Sequence, residues 1–254
     1  MTNAETLAGR RVFITGGARG IGAATARAIV ESGGHVAIYD LDGEAAAATA
    51  RALDPGRAIG LGGDVADERA AEAAIAKAVE TFGGLDDLVN NAGIYDHAPL
   101  TELSRARWQR VLDVNLMAPI AISNAAVRHM ERGGSIVNVS SVLGQVAAPG
   151  RGPYCVSKAA LIALTKLQAI EWAERGIRVN AIAPGYIDNE AIREFVNEGG
   201  VDIEAVRRRT PLGHLGGEED VVAGICYLID PVRAKYVTGH VLEVNGGWTA
   251  YGFL

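Results

Sequence analysis

Cysteine is scarce: two in 254 residues, Cys155 and Cys226, lie 71 positions apart. There is no CxxC pair and no ligand spacing around either. A cysteine-built metal site is therefore not expected, and two reduced core thiols in a cytoplasmic protein are. Positive charge is in deficit, with 24 Lys+Arg against 30 Asp+Glu and a net charge of −6. A partner such as nucleic acid or an anionic membrane face is not expected of that balance. Long apolar runs are missing as well. Val221–Ile229 is too short to span a bilayer, and Met1–Arg11 is polar where a signal peptide would be apolar. The five histidines, at 35, 97, 129, 214 and 240, form no cluster with ligand spacing, so no metal is expected. His97 reads as an exposed loop residue. Linkers are absent too: no Pro- or Ser-rich stretch, no block of like charge and no fixed-period repeat.

What is present is an ordinary globular composition, 49% hydrophobic and 21% charged, with an excess of glycine at 32 residues. The length fits one domain. Short runs rich in Val and Ile predict strands at Val12–Thr15, His35–Asp40, Ala58–Leu61, Leu85–Asn90, Ser135–Ser140, Arg178–Ala183 and His240–Val244. Such runs, without strict alternation, are how strands covered on both faces read, so the sheet is expected to be parallel. Helix-period segments fall between them, at Gly22–Ser32, Gly43–Leu53, Glu68–Phe82, Arg105–Glu131, Val156–Glu174 and Glu218–Ile229. Strand then helix, repeated, predicts an α/β single-domain doubly wound sheet of Rossmann type, with seven mostly parallel strands and helices on both faces. Residues 186–217 read as irregular and glycine-rich, a mobile lid over a site.

Thr15-Gly16-Gly17-Ala18-Arg19-Gly20-Ile21-Gly22 follows the first strand and opens the first helix. A tight strand-to-helix turn needs the positive φ that glycine adopts cheaply. The missing side chains also let a pyrophosphate reach backbone N–H groups at the helix N-terminus. The second strand ends on Asp40, 18 residues after Gly22. A carboxylate there accepts hydrogen bonds from ribose hydroxyls and repels a 2′-phosphate. With Leu41 rather than a base next to it, NAD is favoured over NADP; Arg19 is the one residue that argues for NADP. Asp40 as a cap of the following helix is compatible with the ribose role.

Tyr154 lies 13 residues beyond Ser141 at the end of the fifth strand, and Lys158 follows four residues later. Four helical residues turn through about 400°, which puts Tyr154 and Lys158 on one face. A free tyrosine titrates near pH 10, and a neighbouring ammonium is expected to lower that value. Ser141, at the C-terminal end of a parallel strand, falls where such sheets bind ligands.

The glycine loop, Asn90-Asn91-Ala92-Gly93, Asn115, Ser141, the Tyr154/Lys158 pair and Pro184-Gly185, in this order from Arg11 to Gly247, resemble the short-chain dehydrogenase/reductase family. The resemblance implies an NAD-dependent oxidoreductase acting on a secondary alcohol or ketone. An NADP-dependent ketoreductase is the alternative within the family, and a non-catalytic nucleotide-sensing scaffold the alternative outside it. Tyr154 is then the general acid/base, Ser141 orients the substrate oxygen, Lys158 holds the nicotinamide ribose, and Asn115 holds a water that links Lys158 to solvent. Asp64 and Val65 bracket the adenine. Gly16, Arg19, Gly20, Ile21 and Gly22 cradle the cofactor, Asp40 and Leu41 meet its ribose, and Asn91, Ala92 and Gly93 line the cleft. Pro184, Gly185 and Ile187 face the carboxamide, with Asn189 where the family commonly has threonine. Asn245 replaces the usual aspartate before Gly246-Gly247. Substrate contacts are expected from Tyr95, Leu143, Gln145, Val146, Tyr186 and parts of the 186–210 segment, and a homotetramer from the helices 105–131 and 156–174.

Overall fold

The structure, a computed structural model, describes residues 6–131, 133–197 and 201–251. Seven parallel strands form one sheet: β1 (Arg11–Thr15), β2 (His35–Asp40), β3 (Ala58–Gly62), β4 (Asp87–Asn90), β5 (Gly134–Val139), β6 (Ile177–Pro184) and β7 (Val241–Val244), in the order β3-β2-β1-β4-β5-β6-β7. β1 pairs with β2 on one side (Val12 opposite Val36) and with β4 on the other (Phe13 opposite Leu88). The chain reverses its direction of winding between β1 and β4, and a crevice opens beyond the C-terminal ends of those two strands.

Nine helices accompany the strands among the described residues: α1 (Gly20–Glu31), α2 (Gly43–Leu53), α3 (Glu68–Phe82), α4 (Arg105–Leu112), α5 (Ala118–Val127), α6 (Gly152–Glu171), α7 (Glu190–Asn197), α8 (Ile203–Arg209) and α9 (Glu218–Ile229). Alternate residues of β1 enter opposite layers. Val12 and Ile14 pack with Ile29 of α1 and Ile225 and Leu228 of α9. Phe13 packs with Ile75 of α3 and Ile122 of α5. Both faces are therefore dry, which is why the strands carry no polar alternation. A buried charge sits at the N-terminal edge, where Arg10 donates to both carboxylate oxygens of Asp87, at 2.5 and 2.9 Å.

Three expectations need correction. The helix read across 105–131 is broken by a wide turn over Asp113–Met117, closed by Ala118 N donating to Asp113 O, and ends at Val127. Pro119 is the local reason, since it brings no N–H to the carbonyl of Asn115 four residues back. The helix expected from Val156 begins at Gly152, with Pro153 in its first turn, where a missing N–H costs nothing. The segment 186–217, read as irregular, contains α7 and α8. The glycines and the arginine run obscured them, yet Arg207, Arg208 and Arg209 occupy the last turn of α8, where the helix dipole favours cations, and Asp202 caps its start. Cys226 is buried as expected; Cys155 is only half-buried, on the flank of α6 beside Tyr154.

Candidate functional site

The crevice is shaped by backbone first. Gly16 and Gly20 have φ of +63° and +59°. A Cβ at Gly16 would stand 2.8 Å from Ala92 Cα, and one at Gly22 2.3 Å from Gly16 O. Thr15 clasps the facing strand: its Oγ1 accepts from the N–H groups of Asn91 and Ala92, at 3.1 and 3.0 Å. Asn91 Nδ2 donates in return to Thr15 O and Gly16 O, at 3.1 and 2.7 Å. The sequence reading gave Thr15 no role of its own, although a hydroxyl at the end of the first strand is its only signal.

A cavity of about 770 Å³ lies over this turn, lined by Gly16, Arg19, Asp40, Leu41, Asp64, Val65 and Asn91 to Gly93, and also by Gln109 and Arg110, which the sequence analysis did not single out. Asp40 Oδ2 accepts from Ala18 N at 3.0 Å and Oδ1 from Asp42 N at 3.1 Å, so the carboxylate also braces the glycine turn. The cap of α2 is Asp42, accepting from Ala45 N, and not Asp40.

A second cavity of about 270 Å³ shares Asn91, Gly93 and Ile94 with the first and holds Ser141, Tyr154 and Lys158. Ser141 follows β5 and caps a single tight turn, Val142–Gly144, through Leu143 N. The glycine at 144 lets α6 sit against that turn, since a Cβ there would meet Lys158 O at 2.8 Å. Lys158 Nζ lies 5.6 Å from the Tyr154 ring centroid and donates to Val139 O at 2.8 Å.

Burial pushes the Tyr154 phenol above its ordinary 10, against opposing contributions from a hydrogen bond with Ser141 and the charge of Arg151. This corrects the expectation that the neighbouring ammonium would lower it. Desolvation of the phenolate wins, and the ammonium is directed at the Val139 carbonyl. Lys158, 4% exposed, is itself pulled down by burial from 10.5 to about 8.

That fall has a measurable consequence. Between pH 8 and 10.5 the unfolded chain binds the lysine proton and the folded chain does not, so this group makes folding more favourable as pH rises. The contribution is about 3 kcal/mol, at about 1.4 kcal/mol per pH unit. Cys226, raised to about 11, and Tyr39, raised to about 12, act in the opposite sense at high pH. The difference between wild type and Lys158→Met isolates the lysine. Urea melts at pH 7 and 10 should show that difference moving in favour of wild type by about 2 kcal/mol or more. A difference independent of pH would mean that the ammonium is not desolvated.

Asn115, fully buried, has both of its amide donors engaged by protein. Its Oδ1 accepts from Ile94 N at 2.8 Å, and Nδ2 donates to Ile94 O and Ser157 Oγ, at 2.8 and 3.1 Å. The amide fixes the Gly93–Ile94 backbone, and a Cβ at Gly93 would lie 3.4 Å from both Asn115 Oδ1 and Lys158 Nζ.

Leu143, Tyr95 and Tyr186 line the second cavity as expected, together with Ile21, Pro184, Gly185, Ile187 and Asn189. Gln145 and Val146 do not; they are exposed past the tight turn, which directs Leu143 inward and the following residues out. Ile192 lines it from the 186–210 segment that was expected to contribute, and Val142 and Arg151 line it unforeseen. The sequence did carry a signal for Arg151, a lone base between two glycines just ahead of Tyr154. The two unusual asparagines have local work. Asn189 Oδ1 accepts from Ile192 N in the first turn of α7, and Asn245 Oδ1 from Gly247 N in the turn after β7. His97 is exposed, as read.

A family model described as enoyl-(acyl carrier protein) reductase matches residues 16–249. The chain is 42% identical over 252 residues to cis-4-hydroxycyclohexanecarboxylate dehydrogenase of Sinomonas cyclohexanicum, covering 97% of this chain and 99% of that one. To 3beta-hydroxysteroid dehydrogenase 1 of Eggerthella lenta it is 40% identical over 253 residues, covering 97% and 96%. The crystal structure of a short-chain dehydrogenase/reductase, glucose/ribitol dehydrogenase, from Brucella melitensis matches with a TM-score of 0.90 at 32% identity, over 96% of this chain and 98% of that one. With these matches running almost end to end, the chain belongs to the short-chain dehydrogenase/reductase family.

Proposed function

We propose that the chain interconverts a ring-borne secondary alcohol and its ketone with NAD(H), using Tyr154 as general acid/base. Membership of the family makes it an oxidoreductase of CH–OH groups that works with a nicotinamide cofactor. The observation that carries the finer reading is that Ser141, Tyr154 and Lys158 line one pocket, continuous with the crevice over the glycine turn. That crevice fits a dinucleotide: its floor is glycine where any Cβ would collide, and α1 starts at Gly20 with no acidic residue in its first turn. Gly16, Arg19 and Ile21 would hold the pyrophosphate side, Asp40 and Leu41 the adenosine ribose, Asp64 and Val65 the adenine. Asn91, Pro184, Gly185 and Ile187 would flank the nicotinamide.

When bound, the nicotinamide supplies the hydride acceptor or donor. The chain's own groups handle the oxygen. Ser141 Oγ orients the carbinol O–H, and Tyr154 takes its proton during oxidation and returns it during reduction. Lys158, held on Val139 O beside the Tyr154 ring, would fix the nicotinamide ribose. Asn115 keeps the backbone beside Lys158 in place.

Apolar walls from Ile94, Val142, Leu143 and Ile192 suit a hydrocarbon ring, and two relatives are named for cyclic alcohols. The reading includes a cytoplasmic homotetramer. It is supported by the free thiols and by the apolar stripe Val156, Leu167 and Ile170 left exposed along α6, and sedimentation mass checks it.

The test is reduced-nicotinamide absorbance over a panel with NAD⁺ and, separately, NADP⁺. The panel is cyclohexanol, cis-4-hydroxycyclohexanecarboxylate, a 3β-hydroxysteroid and sorbitol. Turnover of a cyclic alcohol with NAD⁺ is expected; turnover with NADP⁺ alone, or of sorbitol alone, would overturn the proposal.

A further inference from the structure

Arg151 stands in the sequence Gly150-Arg151-Gly152, and the structure shows why it is flanked so. Gly150 has φ +75°, and a Cβ there would stand 2.8 Å from His97 Nε2. A Cβ at Gly152 would stand 2.5 Å from the Leu100 side chain. Both neighbours are pressed against protein, so Arg151 carries the one side chain that this stretch presents to the pocket of Ser141 and Tyr154.

Its position is a poor one for helix formation. Arg151 is the residue that precedes α6, its carbonyl accepting from Cys155 N at 2.9 Å, and its side chain makes no capping bond. Ser, Thr, Asp or Asn is favoured there, and a cation faces the positive end of the helix dipole. Local rules broken in this way mark places where a residue is kept for the site and not for the fold. The side chain is half-buried, and its charge is felt at the Tyr154 hydroxyl. Among the described residues, the charged side chains lining this pocket are Arg151 and Lys158. The rest of the lining is apolar, hydroxylic or amide, with no carboxylate among the described residues.

We propose that the substrate is a hydroxy acid whose carboxylate is bound by Arg151 while its carbinol meets Ser141 and Tyr154. The inference rests on the alcohol-oxidising reading above and adds the chemical class of the substrate. A guanidinium presents paired N–H donors in the fork that a carboxylate accepts, and a partly desolvated site strengthens the pair. The apolar walls then take the carbon frame between the two polar ends, fixing how far the acid lies from the carbinol.

The test compares cis-4-hydroxycyclohexanecarboxylate with its carboxamide, in wild type, Arg151→Gln and Arg151→Lys. Wild type should prefer the acid by about tenfold or more in kcat/KM, and R151Q should reduce that ratio by about tenfold or more, through KM more than kcat. R151K should recover part of it. An acid-to-amide ratio that R151Q leaves unchanged, or that is near one in wild type, would overturn the assignment. A second arm needs no chemistry: calorimetric binding of cyclohexanecarboxylate, which has no carbinol, in the presence of NAD⁺. It should weaken about tenfold or more in R151Q, and equal binding overturns the assignment. Neutral alcohols oxidised without any preference for the acid would leave the dehydrogenase reading standing and remove this one. Binding that depends on residue 151, with no alcohol oxidised, would do the reverse.

Discussion

Tyr154→Phe should lower kcat about 10³-fold in both directions while the dissociation constant for NAD⁺ stays within about twofold. Phenylalanine keeps the ring that packs under Lys158 and removes only the hydroxyl that exchanges the proton. Groups in this role contribute about 10² to 10⁴ in rate. The hydroxyl lies in the pocket with Ser141, at the C-terminal ends of β5 and β6, so its loss leaves the glycine turn and the Asp40 end of the crevice as they were. Steady-state kinetics and fluorescence titration of NAD⁺ give the two quantities. A variant that keeps more than about a tenth of wild-type kcat would remove Tyr154 from the chemistry. The pH dependence has a definite sign. Burial holds the proton on Tyr154 above its ordinary value, so at neutral pH the group is a phenol, ready to give a proton to a ketone. Oxidation needs the phenolate, so its kcat/KM should climb as pH rises toward and beyond 10, and the climb should vanish in Y154F.

Asp40→Asn should move the preference for NAD⁺ over NADP⁺ by about 10²-fold toward NADP⁺. The carboxylate lies at the end of β2 on the wall of the larger cavity. A 2′-phosphate about 4 Å from it would be repelled by about 1 kcal/mol in bulk water and about 4 kcal/mol at the effective dielectric of a protein surface, while tenfold in affinity is about 1.4 kcal/mol. Alanine is the poorer test. Asp40 accepts from both Ala18 N and Asp42 N, and losing both bonds would loosen the glycine turn whatever the cofactor. Asparagine keeps an acceptor for one of them and removes the charge, and a thermal melt reports any loss of the other. A preference unchanged in a variant that melts like wild type would mean that Asp40 serves the turn alone.

The sheet could be read because burial on both faces writes itself into composition. β2 and the helices at Gly43–Leu53, Glu68–Phe82 and Glu218–Ile229 have the boundaries the sequence gives them. Asp67 and Gly83 punctuate the second of these as local rules require. The site's spacing was legible for the same reason, since Tyr154 and Lys158 need only a helix to share a face. What escaped was set by contacts distant in sequence. The apolar period across 105–131 hides the Asp113–Met117 turn, whose asparagine is held by Ile94 from another segment. The direction of the Tyr154 shift depends on how deeply the pocket is walled, which no spacing contains. Arg151 enters the pocket from a segment whose orientation is decided by packing against His97 and Leu100.

The clasp between Thr15 and Asn91 holds one wall of the crevice together. Four hydrogen bonds lace β1 to the stretch after β4, directly beneath the crevice floor. The opposite wall is built differently: Ile192 of α7 lines the second cavity, so a substitution there alters the pocket without touching the clasp. Engineering for turnover therefore belongs on that wall, and engineering for heat tolerance on the laced one.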